Sequence, residues 1–242
     1  MKKTLFVTGT DTGVGKTVVT AAIVRYLRNQ GVDAVTMKPV QTGASEVNGR
    51  KQAEDLDFHC RAAGLEPDDE TRALMAPYLF EPACSPHLAA RTAGVTVELP
   101  HIVQCLERLT TRHDIVVVEG AGGVMVPLNE KDLMLDLMVQ IGAPVVLTAA
   151  IGLGTINHCL LSLRVMRDAG LEVLGVVFNE PERIKRDIIT EDNPDAVAAF
   201  GQVPVLGNLD HRLWLEAADD NAFETILEQM PGLADIAQRL KQ

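Results

Sequence analysis

Aromatic residues are scarce in this 242-residue chain, at 4% of the total. Its 47% hydrophobic content must therefore rest on Val, Leu, Ile and Ala, the side chains that fill a parallel sheet covered on both faces by helices. Positive charge is short as well. A formal net charge of −11 and the lack of any dense basic run argue against broad nucleic-acid binding, which needs a basic surface to displace counterions from phosphates. A small anionic ligand is still allowed, because backbone N–H groups and a few lysines build such a site locally. The four cysteines, Cys60, Cys84, Cys105 and Cys159, form no C-x-x-C pair and no zinc-type cluster with histidine. They read as reduced, mostly buried thiols. No apolar run is long enough to span a membrane, and Leu5-Phe6-Val7 after Met1-Lys2-Lys3 is too short for a signal-peptide core. The expectation is a cytoplasmic protein with no membrane or nucleic-acid partner.

What is present is alternation. Short aliphatic runs at Leu5–Thr8, Ala34–Met37, Ile115–Val118, Pro144–Ala149, Val173–Phe178 and Val203–Leu206 read as strands. Helical patterns fall at Gly15–Asn29, Lys51–Ala63, His101–Arg112, Leu133–Ile141, Ile156–Ala169 and Asn221–Leu240. Pro77–Pro86 reads as a structured loop, and no linker or repeat interrupts the chain. The order predicts one domain over residues 1–242, an α/β fold with a doubly wound, mostly parallel sheet, and the loop from Gly9 to Thr17 makes it the P-loop NTPase type. Lys38, Glu119, Asn179 and Gly207 each follow a predicted strand, and the carboxyl edge of a parallel sheet is where ligands bind.

Gly9-Thr10-Asp11-Thr12-Gly13-Val14-Gly15-Lys16-Thr17 joins the first strand to the first helix, the context in which a phosphate-binding loop is expected. Its turn aims backbone N–H groups inward, and the helix N-terminus adds partial positive charge. Lys16 would reach the β- and γ-phosphates of a nucleoside triphosphate, and the Thr17 hydroxyl would ligate Mg²⁺. Five residues separate Gly9 from Gly15, one more than in the common pattern; the plainer alternative is a glycine-rich turn with a chance Gly-Lys-Thr. Magnesium prefers hard oxygen ligands, and Glu119, ahead of Gly120-Ala121-Gly122-Gly123, is a candidate. Asp55 is another, although its neighbours Glu54 and Asp57 would equally suit a solvated helix face.

Together these segments resemble the dethiobiotin synthetases. The resemblance rests on the phosphate loop, Lys38-Pro39-Val40 with Thr42-Gly43, Ser85-Pro86-His87, Glu119 to Gly123, and Gly152-Leu153-Gly154-Thr155-Ile156-Asn157-His158. It implies an ATP- and Mg²⁺-dependent ligase that joins CO₂ to 7,8-diaminononanoate through a carbamate and a carbamic–phosphoric anhydride, closing the ureido ring. It implies catalytic roles for Lys16 and Lys38, and a magnesium set of Thr17, Asp55 and Glu119. Nucleotide contacts would come from Gly13 to Val18 (Gly13, Val14, Gly15, Lys16, Thr17, Val18), Asp55, and Glu119-Gly120-Ala121-Gly122. On the base side it implies Asn179, Glu180, Asn208, Leu209 and Asp210. Substrate contacts would come from Thr12, Thr42, Gly122 and Gly123. Gly154, Thr155 and Asn157 would bind the substrate's carboxylate tail across a homodimer interface. Two departures stand out: Glu180 replaces the Asp of many relatives, and Asn208-Leu209-Asp210 lacks the family's usual proline, which predicts altered base selection.

Two other classes fit a P-loop. A partitioning-type regulatory ATPase would carry a signature lysine early in the loop, where this chain has Asp11. A cofactor amidoligase would usually need an ammonia source, and none of the four cysteines sits in a glutaminase-like motif.

Overall fold

The computed structural model of the protein describes residues 4–47, 50–180, 187–211 and 220–241. Six parallel strands form one sheet in the order β10-β9-β8-β1-β7-β2, with β1 Thr4–Gly9, β2 Ala34–Met37, β7 Ile115–Gly123, β8 Val145–Ala150, β9 Val173–Asn179 and β10 Val205–Leu209. Side chains alternate across a strand, so each strand feeds two cores. Phe6, Val116, Val118, Leu147 and Phe178 pack on one side with helix α5 (Leu99–Arg112) and helix α6 (Met134–Ile141). Leu5, Val7, Val117, Val146 and Val177 pack on the other with helix α1 (Lys16–Asn29) and the C-terminal helices Asp220–Glu228 and Leu233–Leu240. Burial on both faces is why the strands read as unbroken aliphatic runs. Among the described residues, Phe6, Phe178 and Phe223 are the aromatic side chains that rank with the largest fully buried ones.

Several predicted boundaries move. The last strand runs Val205–Leu209, so Gly207 lies within it and Asn208 and Leu209 are strand residues. Lys51 belongs to a short hairpin of β4 (Ser45–Val47) and β5 (Arg50–Gln52), and helix α2 begins only at Glu54, ending at Ala63. The Pro77–Pro86 stretch holds strand β6 (Tyr78–Phe80), which pairs in parallel with β3 (Val40–Thr42), and Pro86 opens helix α4 (Pro86–Thr92). The predicted final helix is two helices, divided at Pro231-Gly232. Pro cannot donate its missing N–H to a helix interior. Gly232 is needed at the break: a Cβ there would meet Leu206 Cδ2 at 2.5 Å and its backbone Cα at 2.7 Å. Helix α3 (Asp69–Met75) and helix α8 (Ile188–Gly201) were not signalled by the sequence pattern. Pro194 inside α8 punctuates it like a turn. Helix α7 occupies Thr155–Asp168, close to expectation. Met1-Lys2-Lys3 lies outside the described residues. Among the described residues, no helix is long and apolar enough to cross a membrane.

Candidate active site

The chain turns from β1 into α1 through two glycines in the left-handed region, Gly13 (φ 75°) and Gly15 (φ 96°), a conformation that disfavours any Cβ. Gly15 is the N-cap of α1, so the first helical N–H groups open into the loop. Opposite, β7 pairs with β1 at Val7↔Glu119 and next at Gly9↔Gly123. Two extra residues are therefore accommodated on β7, with Gly122 at φ 65°. The bulge carries the Glu119–Gly123 run alongside the phosphate loop; a Cβ on Gly123 would stand 3.1 Å from Thr10 O.

Four elements deliver side chains to this edge. The end of β2 supplies Lys38, α1 supplies Lys16 and Thr17, α2 supplies Asp55, and β7 supplies Glu119. Lys38 Nζ lies 2.6 Å from Glu119 Oε1 and 2.8 Å from Asp55 Oδ2, and donates to Gly120 O at 3.3 Å. Thr17 Oγ1 lies 3.1 Å from both Asp55 Oδ1 and Glu119 Oε1. Lys16 Nζ donates to Asp11 O at 2.7 Å. A hydroxyl and two carboxylates within one another's reach are the hard oxygen donors a divalent cation such as Mg²⁺ prefers.

Charge is balanced in a nearly dry setting, with Lys38 and Glu119 both buried. Burial alone would raise the Glu119 carboxyl; Lys38 first, then His59, override it and hold the group well below the usual carboxylate range. Burial works against the Lys38 ammonium too, but Glu119 and Asp55 outweigh it and lift its pKa above the ordinary lysine value. Lys16 has less compensation. Burial and then repulsion from Lys38 pull it down to about 8.

A cavity of about 650 Å³ opens in front of these groups. Of the predicted residues, Thr12, Gly13, Gly15, Lys16, Thr17, Lys38, Thr42, Asp55, Glu119, Ala121 and Gly122 line it, together with Gln41, Cys84, Ser85 and Pro86. Val14, Val18, Gly120 and Gly123 do not line it; Val14 and Val18 are buried, and Gly120 meets the site through its carbonyl, which accepts from Lys38. The base-side residues stand apart, at the ends of β9 and β10. Asn179 is fully buried and donates from Nδ2 to Val14 O at 2.9 Å, which ties it to the phosphate loop, while its Oδ1 has no hydrogen-bond partner in the described structure. Glu180 is buried and its backbone N–H donates to Leu209 O. Asn208 and Asp210 are held from the backbone by Gln229. Gly154, Thr155 and Asn157 do not line the cavity of their own chain. Gly154 (φ 94°) caps α7, Thr155 is buried against Cys159, and Asn157 is exposed.

One member was missed. His59 is fully buried, its Nδ1 3.0 Å from Thr36 Oγ1 and its Nε2 2.8 Å from Glu119 Oε2, close enough for an ion pair but off the line of a regular hydrogen bond. Its signal was the four-residue spacing from Asp55, which puts both on one face of α2.

A glycine-bent loop between a parallel strand and a helix, with Lys16 and Thr17 at the helix start, defines a P-loop nucleotide-binding protein. Solved structures with this architecture include the cell division protein MinD from Aquifex aeolicus (TM-score 0.60, 13% identity, 99% of this chain and 97% of that one) and MinD from Pyrococcus furiosus (TM-score 0.60, 18% identity, 99% and 100%). At those identities the likeness is one of fold. A family model described as an AAA domain matches residues 3–219. In sequence the chain is 37% identical to the ATP-dependent dethiobiotin synthetase of Halalkalibacterium halodurans, covering 85% of this chain and 83% of that protein. It is also 37% identical to that of Anoxybacillus flavithermus, covering 86% and 92%. The chain belongs to the dethiobiotin synthetase family.

Proposed function

We propose that this enzyme is a ligase that uses ATP and Mg²⁺ to close the ureido ring of dethiobiotin from 7,8-diaminononanoate and CO₂. The single observation that carries the reading is the pair Lys16 and Lys38, converging from different elements on one cavity beside Thr17, Asp55 and Glu119. Phosphoryl transfer asks a protein chiefly for positioning and for positive charge around the transferred group.

One substrate amine adds to CO₂ with loss of a proton, giving a carbamate. Lys38, buried and kept protonated by its carboxylates, holds that carbamate toward the γ-phosphate. A carbamate oxygen then attacks phosphorus and ADP departs, leaving a carbamic–phosphoric anhydride. The second amine attacks the carbonyl carbon, the C–O bond to phosphate breaks, and the ring closes with release of phosphate and a proton. Lys16 leaves its bond to Asp11 O to follow the β- and γ-phosphates. Thr17, Asp55 and Glu119 hold Mg²⁺, which supplies charge neutralisation of the phosphates when bound.

Thr12, Thr42, Gly122 and Gly123 contact the diamine end. Asn179, with an unused acceptor, and Glu180, Asn208, Leu209 and Asp210 take the base. Gly154, Thr155 and Asn157 bind the substrate's carboxylate in the partner subunit's cavity, so the working unit is a homodimer. Their place outside their own chain's cavity supports this, as does Leu153 beside them at 90% exposure. A cytoplasmic location suits these small-molecule substrates.

The decisive experiment incubates the protein with diaminononanoate, bicarbonate, Mg²⁺ and ATP and assays dethiobiotin by mass spectrometry. Dethiobiotin with equimolar ADP is expected. ATP hydrolysis indifferent to the diamine would overturn the reading in favour of a switch ATPase, which Asp11 in place of a signature lysine already argues against.

A further inference from the structure

The two oxygens of Glu119 have different surroundings. Oε1 meets Lys38 and Thr17 at the cavity. Oε2 is sealed from solvent and faces His59, which does not line the cavity. His59 is itself braced, since Thr36, fully buried on β2, stands 3.0 Å from Nδ1. Two elements thus grip one carboxylate from two directions. α2 presents Asp55 and His59 one turn apart, and the β2 chain presents Thr36 and Lys38 two residues apart, on one face. A carboxylate offers no proton of its own, so the 2.8 Å approach of Nε2 to Oε2 is favourable with the proton on Nε2, although the pair lies off the line of a regular hydrogen bond. Without that neighbour, rotation of the Glu119 side chain would leave a buried oxygen unpaired or turn Oε2 into the cavity, at a cost either way.

We propose that His59, braced by Thr36, is a positioning residue that locks the Glu119 carboxylate so that Oε1 alone serves the divalent cation beside Thr17. This rests on the reading of Glu119 as a magnesium ligand. Outer partners of this kind set ligand orientation, and losing one typically weakens metal affinity about 10- to 100-fold.

The test is calorimetric titration of ATP into the protein with Mg²⁺ and with EDTA, alongside thermal melts. His59→Asn places its amide near Thr36 but short of Glu119; it is expected to weaken Mg²⁺-dependent ATP binding about ten-fold or more and to leave Mg²⁺-free ATP binding unchanged. His59→Gln, whose amide nitrogen can occupy the place of Nε2, should restore most of the loss. Thr36→Val, close in shape, should shift Mg²⁺ dependence a few-fold in the same direction. Equal losses with and without Mg²⁺, or Gln no better than Asn, would overturn the proposal. Should His59→Asn fail to fold, an unaltered Mg²⁺ dependence in Thr36→Val does so instead. Glu119→Gln separates the two levels: if it leaves the Mg²⁺ dependence intact, the metal role fails and this inference with it. A protein that behaves as expected here yet makes no dethiobiotin overturns only the proposed reaction.

Discussion

Lys38 and Glu119, 81 residues apart in sequence, form a buried ion pair at 2.6 Å, with Asp55 as the second anion on the same ammonium at 2.8 Å. With Lys16 close enough to feel both carboxylates and Lys38, two ammoniums face two carboxylates and the cluster is balanced in charge. The same contact stabilises the fold and prepares the site, and it generates the first two predictions.

Lys38→Ala should cut turnover by about 10²–10³-fold, the scale of losing one preorganised charge at a transition state. It also strands Glu119 and Asp55, which should cost about 3–5 kcal/mol of stability. Turnover is to be measured at a temperature where the variant's melting curve shows it folded. Near-wild-type turnover there would remove Lys38 from the reaction.

Glu119→Gln should lower stability by up to about 3–5 kcal/mol at neutral pH, the range for breaking a buried pair. The sign with pH follows from the depressed folded-state pKa of Glu119. Its contribution is fully present above the unfolded carboxyl value of about 4.3. It is lost as the pH falls from there toward the lower folded value. Urea denaturation across acid pH should show the gap between wild type and variant closing, and a gap that stays constant refutes the assignment.

The unpartnered Oδ1 of Asn179 offers an acceptor to a base that carries an exocyclic amine. ATP and CTP both present one at the edge where GTP presents a carbonyl oxygen. With Asn208-Leu209-Asp210 in place of the family's proline-bearing loop, CTP is expected to support turnover alongside ATP, and better than GTP. Competition kinetics with the three nucleotides decide this, and GTP outperforming CTP would contradict it.

Cys60, Cys105 and Cys159 are buried, while Cys84 is half-exposed and lines the cavity. Burial pushes the Cys159 thiol up to about 11 and raises the other two buried thiols, which leaves less of the reactive thiolate. Native protein treated with iodoacetamide should therefore lose one thiol, Cys84, and lose it more slowly in the presence of ATP and the diamine. Peptide mapping that finds Cys159 labelled first would count against this.

Local information was enough for much of this protein. The buried strands were legible because both-face burial leaves an unmistakable aliphatic run, and the phosphate loop because Gly13 and Gly15 occupy backbone conformations that other residues disfavour. Lys38 and Glu119 were candidates because each follows an aliphatic run at a parallel sheet's carboxyl edge, and Lys16 and Thr17 because they open the helix after the glycine-rich loop. Long-range contact decided the rest. By residue pattern alone Asp55 was indistinguishable from a solvated acidic face; the family resemblance picked it out, and the packing of α2 beside α1 brings it to Thr17 and Lys38. The final helix divides at Pro231-Gly232, a dipeptide that punctuates a helix locally, while the seating of Gly232 against Leu206 is a contact no local pattern encodes. The phosphate loop and its lysine were set by the sequence itself, through backbone stereochemistry. Tertiary packing alone decided that His59 stands behind Glu119, because a fully buried histidine takes its role from the group it is folded against.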